Sequence, residues 1–202
     1  MPKTDLNLVY KTCYRASSSR PALALVPDLN TLVVAGEGRT DSPGFLEAVR
    51  ALTAVVYTLK LQLRRAYGRS DAPDMPLEVV WTLDRETQQV SWEMLIAQPD
   101  EVTPESFQLA RAEAAEHSEP PALKRMRLER RPEETCVQML HLGAQARVPE
   151  TLAHVRAFGS SRGLLLRADA HEIYLNDPST TRPENMRTLL RLAVLSARSA
   201  GN

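Results

Sequence analysis

The chain has 202 residues, 43% of them hydrophobic, and its 25 basic and 25 acidic side chains give a formal net charge of zero. This composition predicts a globular protein with mass for one good-sized core, and the balanced charge argues against nucleic acid as the main partner. Because no apolar run approaches the ~20 residues of a membrane span and the N-terminus lacks a signal-peptide core, we expect a cytoplasmic protein that does not enter membranes.

The first half of the chain predicts a strand, a long helix and two further strands. Residues 1–28 are a lead-in with one short helical stretch, and the strand at 32–36 ends in a glycine turn. The Ser-Pro pair at 42–43 begins a helix whose apolar residues recur at steps of three and four. Residues 77–83 and 90–97 then alternate as two strands around a polar turn, after a break at residues 72–76.

A connector follows, and then the pattern starts again. Residues 104–117 predict a helix that ends at Ser118-Glu119-Pro120-Pro121, and residues 122–130 predict a strand whose basic end is typical of a solvated edge. The restart has a strand at 135–142, a helix from Val148 and a last strand at 188–195. Two shorter extended runs lie between that helix and the last strand, at 164–167 and 171–175.

The repeat is visible in the amino-acid sequence as well as in the order of the predicted strands and helices. SPGFLEAVRAL at 42–52 is similar to VPETLAHVRAF at 148–158, with the two prolines 106 positions apart. We interpret this as a duplicated strand-helix-strand-strand module, at 29–99 and 133–197, joined by a connector helix and strand at 100–132 within one domain. Neither module can bury its sheet face alone. Side by side they form an α+β fold with pseudo-two-fold symmetry, one antiparallel sheet and both helices on one face.

The duplication predicts equivalent places for two glutamates. Aligning PLEVVW with AHEIYL superimposes Glu78 on Glu172, which are 94 positions apart, so the second module has a shorter helix or loop. Under a pseudo-two-fold axis, this alignment predicts two carboxylates on opposite sides of one central cleft.

Five segments cover nearly the whole chain after the lead-in: VPDLNTLVVAGEGRTDSPGFLEAVRALTAVVYTLK (26–60), MPLEVVWTL (75–83), SWEMLIAQPDEVTPESFQLA (91–110), PALKRMRLERRPEETCVQMLHLG (121–143) and HEIYLNDPSTTRPENMRTLLRLAV (171–194). Together they resemble the GyrI-like small-molecule-binding domains, in their stand-alone bacterial branch. The resemblance implies two modules with a groove between their helices, where planar, often cationic molecules bind above an acidic residue. It also implies two roles for stand-alone members, either binding or hydrolysis of cyclopropane-bearing DNA alkylators.

One feature departs from the family pattern, and one absence limits the function we expect. Ala144-Gln145 stands where relatives usually carry proline and a groove-lining tyrosine, so we expect an altered ligand range. The lead-in is also too short for a helix-turn-helix domain, so we do not expect this chain to act as a one-component regulator.

Glu172 is the leading candidate for a functional carboxylate. On a strand it shares a face with Tyr174, while His171 and Ile173 take the other face. A carboxylate in an apolar cleft pairs with a cation or has a raised pKa, which suits cation capture or general acid-base work. The plain alternative is an exposed strand glutamate, and for Tyr174 it is cross-strand packing.

Other candidates depend on the cleft geometry. Glu78 is the symmetry mate of Glu172, or a buried carboxylate with a structural partner. Trp81 lies on the opposite side of that strand from Glu78 and reaches the cleft only through a bulge or twist. Four more residues are groove walls in one interpretation and ordinary core or surface in the other. They are Trp92 and Met94 on the next strand, Tyr57 on the long helix and His141 on the strand after the connector.

Three functions remain open at this point. The first is a binder of hydrophobic, planar, cationic small molecules, and the second is a hydrolase that uses Glu172, Tyr174 and Glu78 as acid-base groups. The third is a module that delivers a ligand signal to a separate DNA-binding protein. No metal-ligand spacing, phosphate loop or catalytic triad occurs, and two cysteines suggest no disulfide framework. We therefore expect no cofactor and a monomer or weak homodimer.

Overall fold

The structure is a computed structural model that describes residues 4–68, 73–117 and 120–195. Within these residues, the alternating and helix-periodic segments of the sequence form eight strands and five α-helices. The strands are β1 (Ala22–Val26), β2 (Leu29–Glu37), β3 (Leu77–Leu83), β4 (Val90–Gln98), β5 (Arg127–Arg131), β6 (Glu134–Leu142), β7 (Ala170–Tyr174) and β8 (Arg187–Ala193). The helices are α1 (Leu6–Cys13), α2 (Pro43–Tyr67), α3 (Pro104–His117), α4 (Pro121–Arg125) and α5 (Val148–Ser161).

All eight strands join one antiparallel sheet in the order β1-β6-β8-β7-β3-β4-β2-β5. The order is symmetric about the β7–β3 junction: outward from the centre, β3, β4, β2 and β5 in one half correspond to β7, β8, β6 and β1 in the other. The sheet curls into a half-barrel. The α+β fold with tandem modules is therefore confirmed.

Helices α2 and α5 cover one face of the sheet, which we call the outer face. The Ser42 side chain accepts a hydrogen bond from the Phe45 N–H and Pro43 occupies the first turn, so α2 begins where the sequence predicts. Its apolar stripe packs on β2 and β4 through residues such as Leu52 and Val55, both with 0% of their surface exposed.

The opposite face of the sheet, which we call the inner face, is packed against a different helix. Helix α1 packs there against β1 and the sheet centre, in a cluster that includes Cys13, Tyr14, Ile173 and Leu189. The Asp5 side chain accepts hydrogen bonds from the first turn of α1 and so caps it. The sheet thus has two chemically separate faces, and each side chain belongs to one of them by strand alternation.

Two predicted elements need correction, and one strand was not predicted. Residues 122–130 are not one strand, because Pro121–Arg125 forms the short helix α4 before β5 begins. The extended run at 164–167 contributes only an isolated bridge between Leu166 and Val194. Strand β1 lies in the lead-in, where no strand was predicted, since Leu23 and Leu25 are exposed and mask its inward residues.

Some predictions lie at the limits of the structure. The helix end predicted at residues 118–119, the break at residue 72 and the last two residues of the second module fall outside the described residues. Among the helices that are described, none is both long and apolar enough to cross a membrane.

Candidate functional site

Glu172 and Tyr174 lie side by side on the outer face of β7, at the centre of the sheet. Only 6% of Glu172 and 8% of Tyr174 is exposed. β7 pairs with β3 so that Glu172 stands beside Val79, while its other neighbour across the sheet is Leu190. The carboxylate is thus flanked by apolar side chains on both adjacent strands, which is an environment that disfavours its charge.

Two neutral groups donate hydrogen bonds to Glu172. The Tyr174 hydroxyl donates to Glu172 Oε2 over 2.8 Å, and the Gln145 side-chain amide donates to the same oxygen. Burial raises the pKa of Glu172 above its ordinary value, although the bonds from Tyr174 and Gln145 partly oppose this rise. Burial, with the nearby carboxylate, also raises the pKa of Tyr174, so its hydroxyl stays protonated and acts as a donor.

His141 holds the turn that supplies Gln145. Its Nε2 lies 3.1 Å from the Ala144 carbonyl oxygen, and its Nδ1 lies 2.8 Å from the Thr151 hydroxyl. A carbonyl only accepts, so Nε2 carries the proton and Nδ1 is free to accept from Thr151. With both ring nitrogens engaged, His141 is a positioning residue for this turn and for the start of α5.

Aromatic residues form the other part of the outer-face floor. Trp81 and Trp92 are paired across β3 and β4, and Phe45 at the start of α2 stacks on Trp81 with ring centroids 5.5 Å apart. Phe45 meets Trp92 edge-on at 5.3 Å. Gly36 lies opposite Trp92, and a Cβ there would come within 2.4 Å of the indole, so glycine permits this close approach.

Three buried polar atoms near this floor have no hydrogen-bond partner within the described part of the chain. They are Trp81 Nε1, Trp92 Nε1 and Thr188 Oγ1. Thr188 stands between Tyr174 and His141 in the register of β8. Trp81 is close enough to lower the pKa values of Glu172 and Tyr174, although its N–H is not aligned for a bond. Buried polar atoms are ordinarily hydrogen-bonded, so these three remain able to bond a further polar group.

The structure corrects the expected role of Glu78. Glu78 pairs with Ile173, whereas Val79 pairs with Glu172, so the two glutamates lie on opposite faces of the sheet. In the antiparallel β3–β7 pair, odd-numbered residues of one strand stand beside even-numbered residues of the other, so equivalent residues on one face must differ by an odd number. The offset that aligns the two glutamates is 94, which is even, and it therefore matches residues on opposite faces. The offset of 94 was therefore wrong, and even the smallest such error, one residue, moves a side chain to the other face.

Two other expectations change with the geometry. Trp81 lies on the outer face with Glu172 and needs no bulge, because it pairs in regular register with Ala170 and Trp92. Tyr57 is 63% exposed and lies on the side of α2 opposite its buried stripe, so it does not reach the floor. Met94 is fully buried beneath α2, in the core that supports Trp92.

Glu78 belongs instead to a charged network on the inner face. The Tyr14 hydroxyl donates to Glu78 Oε1, and His171 Nε2 lies 2.7 Å from Glu78 Oε2, off the direction of a well-aligned bond. Burial pushes the pKa of Glu78 upward, but His171, Arg191 and Tyr14 outweigh it and hold that pKa below its ordinary value. Glu78 is therefore an ionised, partnered carboxylate.

Sequence reasoning missed three residues at these two sites. Phe45 was read as one member of the α2 stripe, Gln145 only as a departure from the expected tyrosine, and Tyr14 as part of the lead-in. The sequence did contain a signal for Gln145, because it stands where relatives usually carry a groove-lining tyrosine and so takes that tyrosine's place near the floor. No local pattern links Tyr14 to Glu78, because 64 positions separate them.

Within residues 4–68, 73–117 and 120–195, no group of three or more His, Cys, Asp or Glu side chains is placed to hold a metal ion. The chemistry of the outer-face floor therefore rests on one carboxylate, one phenol, one amide and two indoles.

Comparisons with known proteins agree with this architecture. A family model described as GyrI-like small molecule binding domain matches residues 47–195. A crystal structure of a hydrolase from Listeria innocua is 33% identical, with a TM-score of 0.82, over 96% of this chain and 100% of that one. An uncharacterized conserved protein from Listeria innocua is also 33% identical, with a TM-score of 0.83 and the same coverage. The EcmrR C-terminal domain shares the fold at 11% identity and a TM-score of 0.56, over 88% of this chain and 98% of that one. A search of curated proteins found no match.

Proposed function

Since the chain belongs to the GyrI-like small molecule binding domain family, we propose that its outer-face floor binds hydrophobic, planar, cationic small molecules. The ligand lies in the groove between α2 and α5, with its positive charge toward Glu172 and its rings against Trp81. Drug-like and toxin-like aromatic cations have this combination of charge and flat apolar surface.

One observation carries this proposal: Glu172 is a buried carboxylate whose described partners are neutral donors. A buried anion without a cationic partner is unfavourable, and a bound cation would compensate it. Trp81 is partly exposed on the same face as Glu172, has an unpaired indole N–H and stacks on Phe45, so it extends an aromatic surface that suits a flat ligand.

Binding of a planar cationic dye such as ethidium tests the proposal by fluorescence titration. We expect saturable binding that Glu172→Gln weakens about ten-fold or more, because one charge interaction of about 1.4 kcal/mol corresponds to a factor of ten. Binding should also strengthen as pH rises through the raised pKa of Glu172, since only the ionised carboxylate attracts the dye.

Glu93→Gln is the matched control. Glu93 is an inner-face carboxylate that pairs with Arg127 and Arg131, so its replacement should leave ethidium affinity unchanged. Equal affinity in wild type and Glu172→Gln would contradict the proposal, and so would equally tight binding of an uncharged dye of the same shape.

The hydrogen-bonded Glu172–Tyr174 pair supports a second candidate, hydrolysis of a cyclopropane-bearing DNA alkylator. In this reaction the Glu172 carboxylate takes a proton from water while the water oxygen attacks a ring carbon. The ring C–C bond breaks, and its electron pair moves through the conjugated system to a carbonyl oxygen, which takes the Tyr174 proton. The 2.8 Å bond then returns the proton from Glu172 to Tyr174. The raised pKa of Glu172 makes its ionised carboxylate a stronger base than an ordinary glutamate.

The hydrolase candidate predicts a separation of binding from turnover. A cyclopropane-bearing alkylator incubated with wild type should give ring-opened product, detected by mass spectrometry. Tyr174→Phe should reduce the turnover rate by about 100-fold while it retains binding, because one acid-base group contributes about 10²–10⁴ in rate. If Tyr174→Phe and Glu172→Gln both turn over at the wild-type rate, the hydrolase candidate is excluded for that substrate.

A further inference from the structure

The inner face of the sheet contains a cavity of about 270 Å³, separated by the sheet from the Glu172 floor. Residues from both ends of the curled sheet line it, with Val26 from β1 and Arg131 from the end of β5. Glu78, His171 and Arg191 contribute from the central strands. The cavity is therefore part of the interior of the half-barrel, where small barrels hold one small ligand.

Arg191 is a buried guanidinium at this cavity whose charge is stabilised only indirectly, by the Tyr14 ring 5.4 Å from its Cζ and by Glu78 through space. Only 3% of Arg191 is exposed, its Nε donates to Gln138 Oε1 over 3.1 Å, and one Nη donates to the Cys13 carbonyl over 2.6 Å. Both acceptors are neutral, and these bonds use two of the five N–H groups of the guanidinium. Along the described chain, no carboxylate lies within ion-pair distance of Arg191, although buried charges are ordinarily paired.

The carboxylates that line the cavity are in a different situation. Glu78 accepts from Tyr14 and contacts His171, and Glu134 lies 3.8 Å from Arg167. The pKa of Glu78 is held low by His171, Arg191 and Tyr14 against the effect of burial, so its charge is already stabilised. Asp169 is partly exposed, where solvent screens its charge.

Arg131 adds a second guanidinium at the side of the cavity. It pairs with Glu93 and Glu129, which fix its position from outside the cavity. With Arg167, three arginines line the cavity together with three carboxylates, of which Glu78 contacts His171 and Glu134 lies near Arg167, so Arg191 is the arginine that has no ion pair within the described residues. Apolar side chains such as Val80 and Leu95 form the remaining wall and suit a short hydrocarbon segment.

We propose that the inner cavity binds a small organic carboxylate, with its anionic group on Arg191 and Arg131 and its apolar part against Val80 and Leu95. Guanidinium groups hold carboxylates through two parallel N–H bonds, and Arg191 is positioned by its existing bonds to do so. The volume lies just below the ~300–1,000 Å³ of drug-sized sites, so the ligand is a metabolite-sized acid and differs in charge and size from the outer-face ligand.

Matched aromatic probes test the sign of the charge. Benzoate, benzylammonium and benzyl alcohol are titrated into the full chain by calorimetry at constant ionic strength, with thermal unfolding as a second readout. We expect saturable binding and a raised Tm for benzoate only. If benzylammonium or benzyl alcohol binds as tightly as benzoate, or if benzoate does not bind, the proposal is overturned.

Variants locate the binding. Arg191→Lys and Arg131→Gln should each weaken benzoate at least about ten-fold, because each removes charge-assisted hydrogen bonds. Arg130→Gln is the control, since Arg130 is on the same strand as Arg131 but projects from the outer face toward Asp28 and Asp100. If Arg191→Lys does not fold, Arg131→Gln alone decides.

The outer-face site must stay independent of this result. Glu172→Gln should bind benzoate as wild type does, and benzoate should not compete with ethidium. Wild-type benzoate affinity in Arg131→Gln overturns the proposal, as does loss of benzoate binding in Glu172→Gln, because the anion would then lie on the wrong face.

Discussion

Glu172 and Glu78 are almost equally buried, at 6% and 5% exposure, and stand on adjacent strands, yet their pKa values move in opposite directions. Burial raises the pKa of both. On the inner face, His171, Arg191 and Tyr14 more than offset that effect for Glu78, whereas the groups that donate hydrogen bonds to Glu172 among the described residues, Tyr174 and Gln145, are neutral and do not offset it. The comparison teaches that partners, and not depth, decide whether a buried carboxylate is part of the scaffold or is available for a ligand.

The largest expected difference between the two faces is in stability. Glu78→Gln should lower the free energy of unfolding by about 3 kcal/mol at neutral pH, because it removes the anion that His171 contacts and that Arg191 stabilises through space without a direct ion pair. Glu172→Gln should be neutral or stabilising, since it removes a charge that burial disfavours. Urea unfolding of both variants measures this, and equal destabilisation would remove the distinction between the faces.

The next difference concerns the two tyrosines that donate to these carboxylates. Tyr14→Phe removes a bond to an ionised group and should cost about 1.5–3 kcal/mol of unfolding free energy. Tyr174→Phe removes a bond to a carboxyl of raised pKa and should cost about 0.5–1.5 kcal/mol. Thermal unfolding of the pair at one pH checks the order, and a larger loss for Tyr174→Phe would reverse it.

The face of Glu172 could be predicted from the sequence, but its equivalence to Glu78 could not. Strand alternation depends on neighbours in the chain, so it correctly put Glu172 with Tyr174 and opposite Ile173. A repeat alignment depends on matched letters, and two matched glutamates favoured an even offset where the sheet requires an odd one. A sequence comparison does not reveal an error of one residue in the alignment, yet such an error changes the face of the sheet on which a side chain lies.

The partners of both carboxylates were also beyond sequence reasoning, for a common reason. Gln145 reaches Glu172 across 27 positions and Tyr14 reaches Glu78 across 64, each from outside the strand that carries the carboxylate. Periodicity predicts which face a residue takes, whereas these contacts depend on how the turn before α5 and helix α1 dock on the sheet. The fold was predictable because it follows from local sequence patterns that repeat along the chain. The pKa shifts of the two carboxylates were not predictable, since they depend on contacts between distant segments.

A third prediction uses the pH dependence of stability. Glu78 has a lowered pKa in the folded state, so its stabilising contribution is present above its ordinary value of 4.5 and is lost as pH falls through the lowered value. Glu172 has a raised pKa, so its contribution is present below 4.5 and is lost as pH rises through the raised value. Each slope is at most about 1.4 kcal/mol per pH unit.

Unfolding free energies measured from acid to neutral pH separate these two slopes. Relative to wild type, Glu172→Gln should gain stability as pH rises above 4.5, and Glu78→Gln should lose less stability in acid. Parallel curves for wild type and both variants would show that neither carboxylate titrates as the comparison requires.

The smallest effect falls on Gln145, and it isolates the electrostatics of the outer face from its stability. The Gln145 amide lowers the pKa of Glu172, so Gln145→Ala should raise that pKa further while it changes the unfolding free energy by only about 1 kcal/mol. The titration midpoint of the Glu172 side-chain carboxyl carbon, followed by NMR, measures the shift. Gln138→Ala removes an amide of the same kind from the inner face, where it bonds Arg191, and should leave the Glu172 midpoint in place. An unmoved midpoint in Gln145→Ala would mean that burial alone sets the pKa of Glu172, and that partners decide the state of only one of the two carboxylates.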